Sequence, residues 1–410
     1  MFRFSLTFIL FLVIVSTSFT SVMCYNSGNI YLTISAYKKN LVLNWDFTND
    51  LIPDTLLLIN TAAQVTLQQV LVDRPRGHLE TNHGFEISTY FPGNWDRLND
   101  YPESGAHCFH YSIQALKNNA TVDAQCLKIE PTRMEKFGDL QLANMMLPGT
   151  HDSGAFITKS ITRFFKRFVL TQNTDIWTQL VFGIRYLDLR VGIYNDEFYL
   201  YHGIARCAKL EPELRSVLSF LEKAKQEVVI LDFHEFSEPF SHQLHKRLQS
   251  QLQSILGHYI LSNPLSIYAN KLTLKQIWNM NKRVIVNYND RTQVSETPWL
   301  MAGLRRDWGN LQKPDQLIDY IKYLTSRPRD GLIHILCAEL TLTTNDILKD
   351  FTASLKKLAD EVNPELSPLL RESNRSHRFG IVATDFHLGN DIVNVAIETN
   401  IRKVNAHSYY

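Results

Sequence analysis

Apolar and polar positions along this chain fall into two regimes. From residue 25 to about 130, short β-branched and aromatic runs alternate with turn clusters, the pattern of half-buried strands. The runs are IYLTISAY, LVLNWDF, TLLLIN, AQVTLQQVLV, FEISTYF, CFHYSIQAL and AQCLKIEP, separated by stretches such as TNDLIPD and NDYPESGAH. They predict a β-sandwich over 25–130 with Trp45 in its core. After a join at EPTRMEKFGDL the pattern changes. Apolar runs (YLDLRVG, VVILDF, RVIVNYND, GLIHILCAEL, FGIVATDF) alternate with amphipathic helical stretches such as EPELRSVLSFLEKAK and HQLHKRLQSQLQSIL. That alternation predicts βα units forming one α/β barrel over 131–410.

The first residues follow neither pattern. Arg3 precedes an apolar stretch, Ser5–Val15, too short for a membrane span, and the small residues of STSFTSVMC follow. Residues 1–24 therefore read as a secretory signal peptide with Tyr25 as the mature start, and the protein as secreted; the alternative is an uncleaved anchor. Removal of Cys24 would leave four cysteines. Cys108 and Cys126 fall on neighbouring predicted strands and are the expected disulfide, with Cys207 and Cys337 free and buried. Asn119-Ala-Thr and Asn374-Arg-Ser are acceptor sequons for N-glycosylation. A 410-residue chain has room for two domains, and a net charge of +1 provides no broad basic field for nucleic acid. Recognition must come from local sites.

The candidate chemistry centres on LPGTHDSGA, Leu147–Ala155. Its Pro-Gly pair reads as a turn that ends the apolar run LQLANMM and presents His151 and Asp152. His202 stands in a second such place, YHG, while DLR supplies Asp188 and Arg190 and ATDF supplies Asp385. Two histidines can divide general-base and general-acid work, and carboxylates fix their tautomers. Arg190 is a permanent planar cation suited to a phosphoryl oxygen. Singly, each residue is as readily a satisfied structural group. Together they suit phosphodiester cleavage with no obligatory metal or cofactor.

PGTHDSG, GIRYLDLRVG, YHG and the VVILDF strand resemble the X-domain of phosphatidylinositol-specific phospholipase C, over about residues 135–400. The resemblance implies a distorted TIM barrel with its site at the carboxyl ends of the strands. It implies His151 as the general base for the inositol 2-hydroxyl and His202 as the general acid for the departing diacylglycerol oxygen. Asp152 would work with His202, Arg190 would stabilise charge at phosphorus, Asp188 would support Arg190, and Asp385 would orient His151. The products would be a cyclic inositol phosphate and diacylglycerol, from phosphatidylinositol or a glycosylphosphatidylinositol. In calcium-dependent members the Arg190 position carries a carboxylate and the Asp152 position an Asn, so the arginine implies catalysis without metal. His234 stands where bacterial members have a substrate-binding lysine; Tyr288 and Glu339 are further substrate-binding candidates at strand ends. A phospholipid at a membrane surface is the implied partner. ITRFFKRFVL (Ile161–Leu170) and PWLMAGLRRDW (Pro298–Trp308) combine basic and aromatic residues suited to an interfacial rim. Two alternatives stay open: a metal-dependent enzyme of the glycerophosphodiesterase or sphingomyelinase-D type, and a catalytically inactive lipid- or glycan-binding protein.

Overall fold

Strands come first among the described residues, as their alternating pattern requires. The computed structural model describes residues 28–48, 52–159, 162–262, 270–327, 331–343, 350, 352–372 and 379–407. The signal segment with Cys24, the Asn374 sequon and Ile161 lie outside the described residues. Strands β1 (Asn29–Ile34), β2 (Asn40–Asp46) and β5 (Arg76–Gly84) form an antiparallel sheet in the order β1-β2-β5. Strands β3 (Thr55–Asn60), β4 (Val65–Leu71), β6 (His107–Lys117) and β7 (Ala120–Ile129) form a second, in the order β4-β3-β6-β7. Leu32, Leu41, Leu43 and Trp45 from the first sheet and Leu56, Leu58, Ile113 and Leu127 from the second share one buried cluster. Cys108 and Cys126 form the disulfide between β6 and β7, and Cys207 and Cys337 are free and buried.

One strand differs from expectation. FEISTYF is not a strand; the polar run RGHLETNHG, β5, takes its place. Among the described residues β5 pairs only with β2, and most of its side chains reach solvent, so an edge position tolerates its polarity. Phe85 and Phe91 are instead buried from irregular backbone.

The remainder is α/β. Parallel strands β8 (Leu147–Thr150), β9 (Tyr186–Tyr194), β12 (Val229–Phe236), β13 (Val284–Tyr288), β14 (Leu300–Met301), β15 (Leu304–Asp307), β16 (Ile333–Cys337) and β17 (Ile381–Thr384) follow the order β14-β13-β12-β9-β8-β17-β16-β15. The antiparallel hairpin of β10 (Glu197–His202) and β11 (Ala205–Lys209) extends from β9. Helices such as Leu210–Lys223 and His242–Leu256 cover the sheet with one apolar stripe; Ser241 caps the second by accepting from Leu244 N at 3.2 Å. The sheet curls into a half-barrel whose two ends, β14 and β15, are linked by Ala302 and Gly303 alone. Two residues cannot hold a crossover helix, and among the described residues no ladder joins these two strands.

The first barrel strand also corrects the sequence reading. The run LQLANMM holds a 3₁₀ turn at Leu142–Asn144, and the Pro-Gly pair that follows it lies inside strand β8 instead of forming a turn. Gly149 is required there because an added Cβ would stand 2.6 Å from the Tyr186 ring. Among the described residues the β8–β9 register runs through Gly149 and Thr150, and the Pro148 carbonyl accepts from Arg185 N at 2.9 Å just ahead of β9.

The two parts share side-chain packing. Phe91, Trp95 and Ile129 belong to the same buried cluster as Phe182 and Phe220 of the half-barrel. Phe109 stacks on Phe182 with centroids 5.8 Å apart.

Candidate active site

Strand ends gather the reactive groups. β8 delivers His151 and Asp152, β9 delivers Asp188 and Arg190, β10 ends on His202, and Asp385 follows β17. Asp152 has φ +42 and Phe386, directly after Asp385, has φ +46. A left-handed conformation is costly for residues with a side chain and persists only where the surroundings hold it. Both strained residues flank the same site.

The protons of the two histidines can be assigned from their partners. His151 Nε2 lies 2.7 Å from Arg190 Nη2. A guanidinium only donates, so Nε2 is the acceptor and the ring proton sits on Nδ1, 2.8 Å from Asp385 Oδ1. His202 Nδ1 lies 2.6 Å from the Val169 carbonyl, which only accepts. Nδ1 of His202 therefore carries hydrogen, and Nε2 is left to exchange a proton. The two rings stand 6.2 Å apart, edge to face.

Arg190 is the central cation. Its Nε is 3.6 Å from Asp152 Oδ2, and its Nη2 is 3.4 Å from Asp188 Oδ2. Nη1 is 3.5 Å from Glu235 Oε2. Asp152 Oδ2 is also 3.9 Å from His202 Nδ1, so one buried carboxylate faces the arginine and the second histidine. Asp188 is fully buried and is the busiest anion. It accepts from Asp152 N at 3.1 Å and from Arg306 Nη2 at 2.6 Å, and lies 2.7 Å from His234 Nδ1.

Burial and these partners set the charge states. Burial alone would raise Asp188, but Arg306, His234 and Arg190 hold it well below the usual carboxylate range. Burial opposes ionisation of Arg190, yet Asp188 and Asp152 keep it firmly protonated. Burial raises Asp152, with Arg190 and His202 opposing. Burial pushes His151 down and Asp385 up to about 8. The donor assignment needs only an acceptor oxygen of Asp385 opposite Nδ1–H, and loss of the Asp385 proton strengthens that bond.

Of the substrate-binding candidates, His234 and Glu339 join this cluster. Glu339 Oε1 is 3.9 Å from His151 Nε2, and burial raises its pKa. Tyr288 does not join it. Its hydroxyl meets His245 Nδ1 at 2.8 Å, and its ring packs with Phe233 and Phe236.

Several site residues escaped the sequence. Arg306, within the stretch read as a membrane rim, reaches Asp188 and also donates to Tyr186 Oη at 2.6 Å and Asp232 Oδ2 at 2.9 Å. Its only signal was alternation along LRRD, which needs the β15 register to be known. Gln172 donates to the carbonyls of His151 and Thr384 at 3.0 and 2.9 Å, holding β8 to β17 at the site; nothing in its local sequence marks it.

With this geometry in view, comparisons place the chain. No protein-family model matches it. It is 29% identical over 299 residues to the human PI-PLC X domain-containing protein 1, covering 71% of this chain and 87% of that protein. It is 25% identical over 300 residues to the human PI-PLC X domain-containing protein 3, covering 66% and 92%. The phosphatidylinositol-specific phospholipase C from Listeria monocytogenes superposes with TM-score 0.52 at 19% identity, over 64% of this chain and 95% of that one. A mutant of the Staphylococcus aureus enzyme does so with TM-score 0.51 at 17% identity, over 65% and 96%. By sequence the relatives of this chain are PI-PLC X domain-containing proteins, and by fold its neighbours are bacterial phosphatidylinositol-specific phospholipases C.

Proposed function

We propose that the chain is a phosphoric diester hydrolase of the phosphatidylinositol phospholipase C type. The observation that carries this reading is the arrangement of two imidazoles 6.2 Å apart around one guanidinium, with a carboxylate behind each ring. A phosphodiester seated between the rings would draw Arg190 Nη2 from His151 Nε2 to a phosphoryl oxygen. Nε2, then free, takes the proton of the inositol 2-hydroxyl, whose oxygen attacks phosphorus. The protonated His202 returns a proton from Nε2 to the departing diacylglycerol oxygen, and a cyclic inositol phosphate remains. Asp385 stabilises the imidazolium formed on His151. Arg190 already occupies the centre of Asp152 and Asp188, where a divalent cation would have to displace it. This supports catalysis without metal, against the metal-dependent diesterase alternative.

Membrane contact is part of the reading. Ile204, two residues after His202, is 100% exposed, and Phe165 and Trp308, from the two stretches picked out as rim segments, are exposed as well. Apolar side chains on the connections after β8, β10 and β15, Phe165 within the short helix Arg163–Lys166, suit an acyl-chain interface around the site. The half-barrel preceded by two packed antiparallel sheets is read as a barrel with a β-sandwich domain. The Cys108–Cys126 bridge supports export to an oxidising compartment.

A second reading, a lipid-headgroup binder without turnover, is favoured by one contact: Arg190 occupies the lone pair of the proposed base. Phosphatidylinositol vesicles incubated with wild type and His151→Ala in excess chelator separate the cases. Cyclic inositol phosphate from wild type, reduced at least about 1,000-fold in the variant, is expected. Release only with added divalent metal would favour the metal-dependent enzyme. Equal vesicle binding by both proteins with no release would favour the binder.

A further inference from the structure

One turn of the N-terminal sheets lies against the segment that follows Asp385. Ser35 to Lys39 join β1 to β2 and lie against the helix Leu355–Arg371. Ala36 is 1% exposed, and its N–H donates to Asp360 Oδ1 at 2.5 Å. Tyr37 N–H donates to Asp360 Oδ2 at 3.0 Å, and Asn173 Nδ2 donates to the Ala36 carbonyl at 3.1 Å. A single carboxylate thus accepts from two consecutive backbone donors of the turn.

What the turn rests on is the residue after Asp385. The Ala36 side chain forms a small buried cluster with Phe386, Leu355 and Ala359. Phe386 is 2% exposed and holds φ 46, ψ 63. That left-handed backbone sets the direction in which the chain leaves β17, and one peptide joins Phe386 to Asp385, so anchoring Phe386 restrains the backbone that carries the Asp385 carboxylate. Three other bonds restrain it. Phe386 N–H donates to Thr171 O at 2.8 Å, and Asn363 Nδ2 donates to the carbonyls of Asp385 and Phe386 at 3.0 and 3.3 Å. Asn363 lies on the same helix as Asp360, so one helix holds both the turn and the strained residue. A cavity of about 260 Å³ borders the junction, lined in part by Ile34, Lys39, Asn173, Phe386 and His387. Ala36 is the residue of the preceding sheets in that cluster; Leu355 and Ala359 belong to the helix.

We propose that the Ser35–Lys39 turn is a positioning device for the His151–Asp385 pair, seating Phe386 so that the Asp385 carboxylate meets His151 Nδ1. The base of the half-barrel is then completed by residues of the preceding sheets. Ala36, Asp360 and Phe386 are positioning residues; none touches the reacting atoms. The proposal rests on the reading of His151 as the base, and its test separates the two.

The full chain is prepared with ¹⁵N-labelled histidine, and the His151 ring signals are identified by their absence in His151→Gln. Wild type should show a downfield Nδ1–H resonance from the bond to Asp385. In Asp360→Ala, which unseats the turn, that resonance should vanish and the His151 titration should move by about half a pH unit or more. His202 signals should stay in place. Ala36→Gly, which removes one methyl group, should give a smaller change of the same kind. In phosphatidylinositol cleavage, Asp360→Ala should lower kcat about tenfold in the wild-type background and less than about twofold in Asp385→Ala. An unchanged His151 resonance and titration in the folded variants, or a fully additive loss in the double variant, would overturn the proposal. Absence of cleavage by wild type would instead overturn the function, while the imidazole signals still decide whether the turn positions Asp385.

Discussion

Arg190 and His151 sit within hydrogen-bonding distance, and this decides how activity should depend on pH. Burial and the adjacent guanidinium both disfavour the His151 imidazolium. A lowered value means the proton leaves at lower pH than from a free imidazole, near 6.5, so the base form is present above that point. The acid limb of kcat/KM for phosphatidylinositol should therefore have its midpoint below about 6.5. A midpoint near 8 would place the shared proton on Asp385. Arg306 makes a different prediction. It bridges Asp188 and Asp232, both buried, and its removal would leave two carboxylates short of a partner. Arg306→Met should cost about 3–5 kcal/mol in denaturant unfolding. The sequence made the first residues legible and the second not, for one reason. His151, Asp152, Asp188, Arg190 and His202 stand in short strings whose order implies a role, whereas Arg306 acts across 118 residues to Asp188.

At the scale of elements, pattern reading succeeded where one face is buried and failed where a strand is polar or very short. The helices Leu210–Lys223 and His242–Leu256 follow their apolar stripes closely, because a half-buried helix has a single period to satisfy. β5 carries mostly exposed polar residues and β8 contains Pro-Gly, so neither looks like a strand until its neighbours are known. β14 and β15 are too short to show any period. The open seam between them followed from chain length and could be read only once both ends were placed. The β6–β7 pair carries the disulfide, which closes a loop of 18 residues. Replacing Cys108 and Cys126 together by Ser should lower stability by about 3 kcal/mol, measured by thermal unfolding. The same double substitution should leave the His151 site geometry untouched, since neither cysteine contacts it.

For the whole molecule, residues from both sides of the boundary near residue 130 share one buried cluster. Ile129, Phe91 and Trp95 pack into the half-barrel cluster, and Arg97 pairs with Asp175 at the head of the helix Ile176–Val181. A chain beginning at residue 131 should expose Phe182 and Phe220 and aggregate, whereas a true domain boundary would yield a soluble half-barrel; size-exclusion chromatography tells these apart. The shared core also imposes a schedule on biosynthesis. Trp95 leaves the ribosome well before its partner Phe220, by about 125 residues, and translation at 5–20 residues per second makes that roughly 6–25 s. During that interval the nascent sheets carry an uncovered aromatic face. A chaperone, or the stalled and incomplete sheet itself, must keep that face from other chains until the half-barrel arrives to cover it.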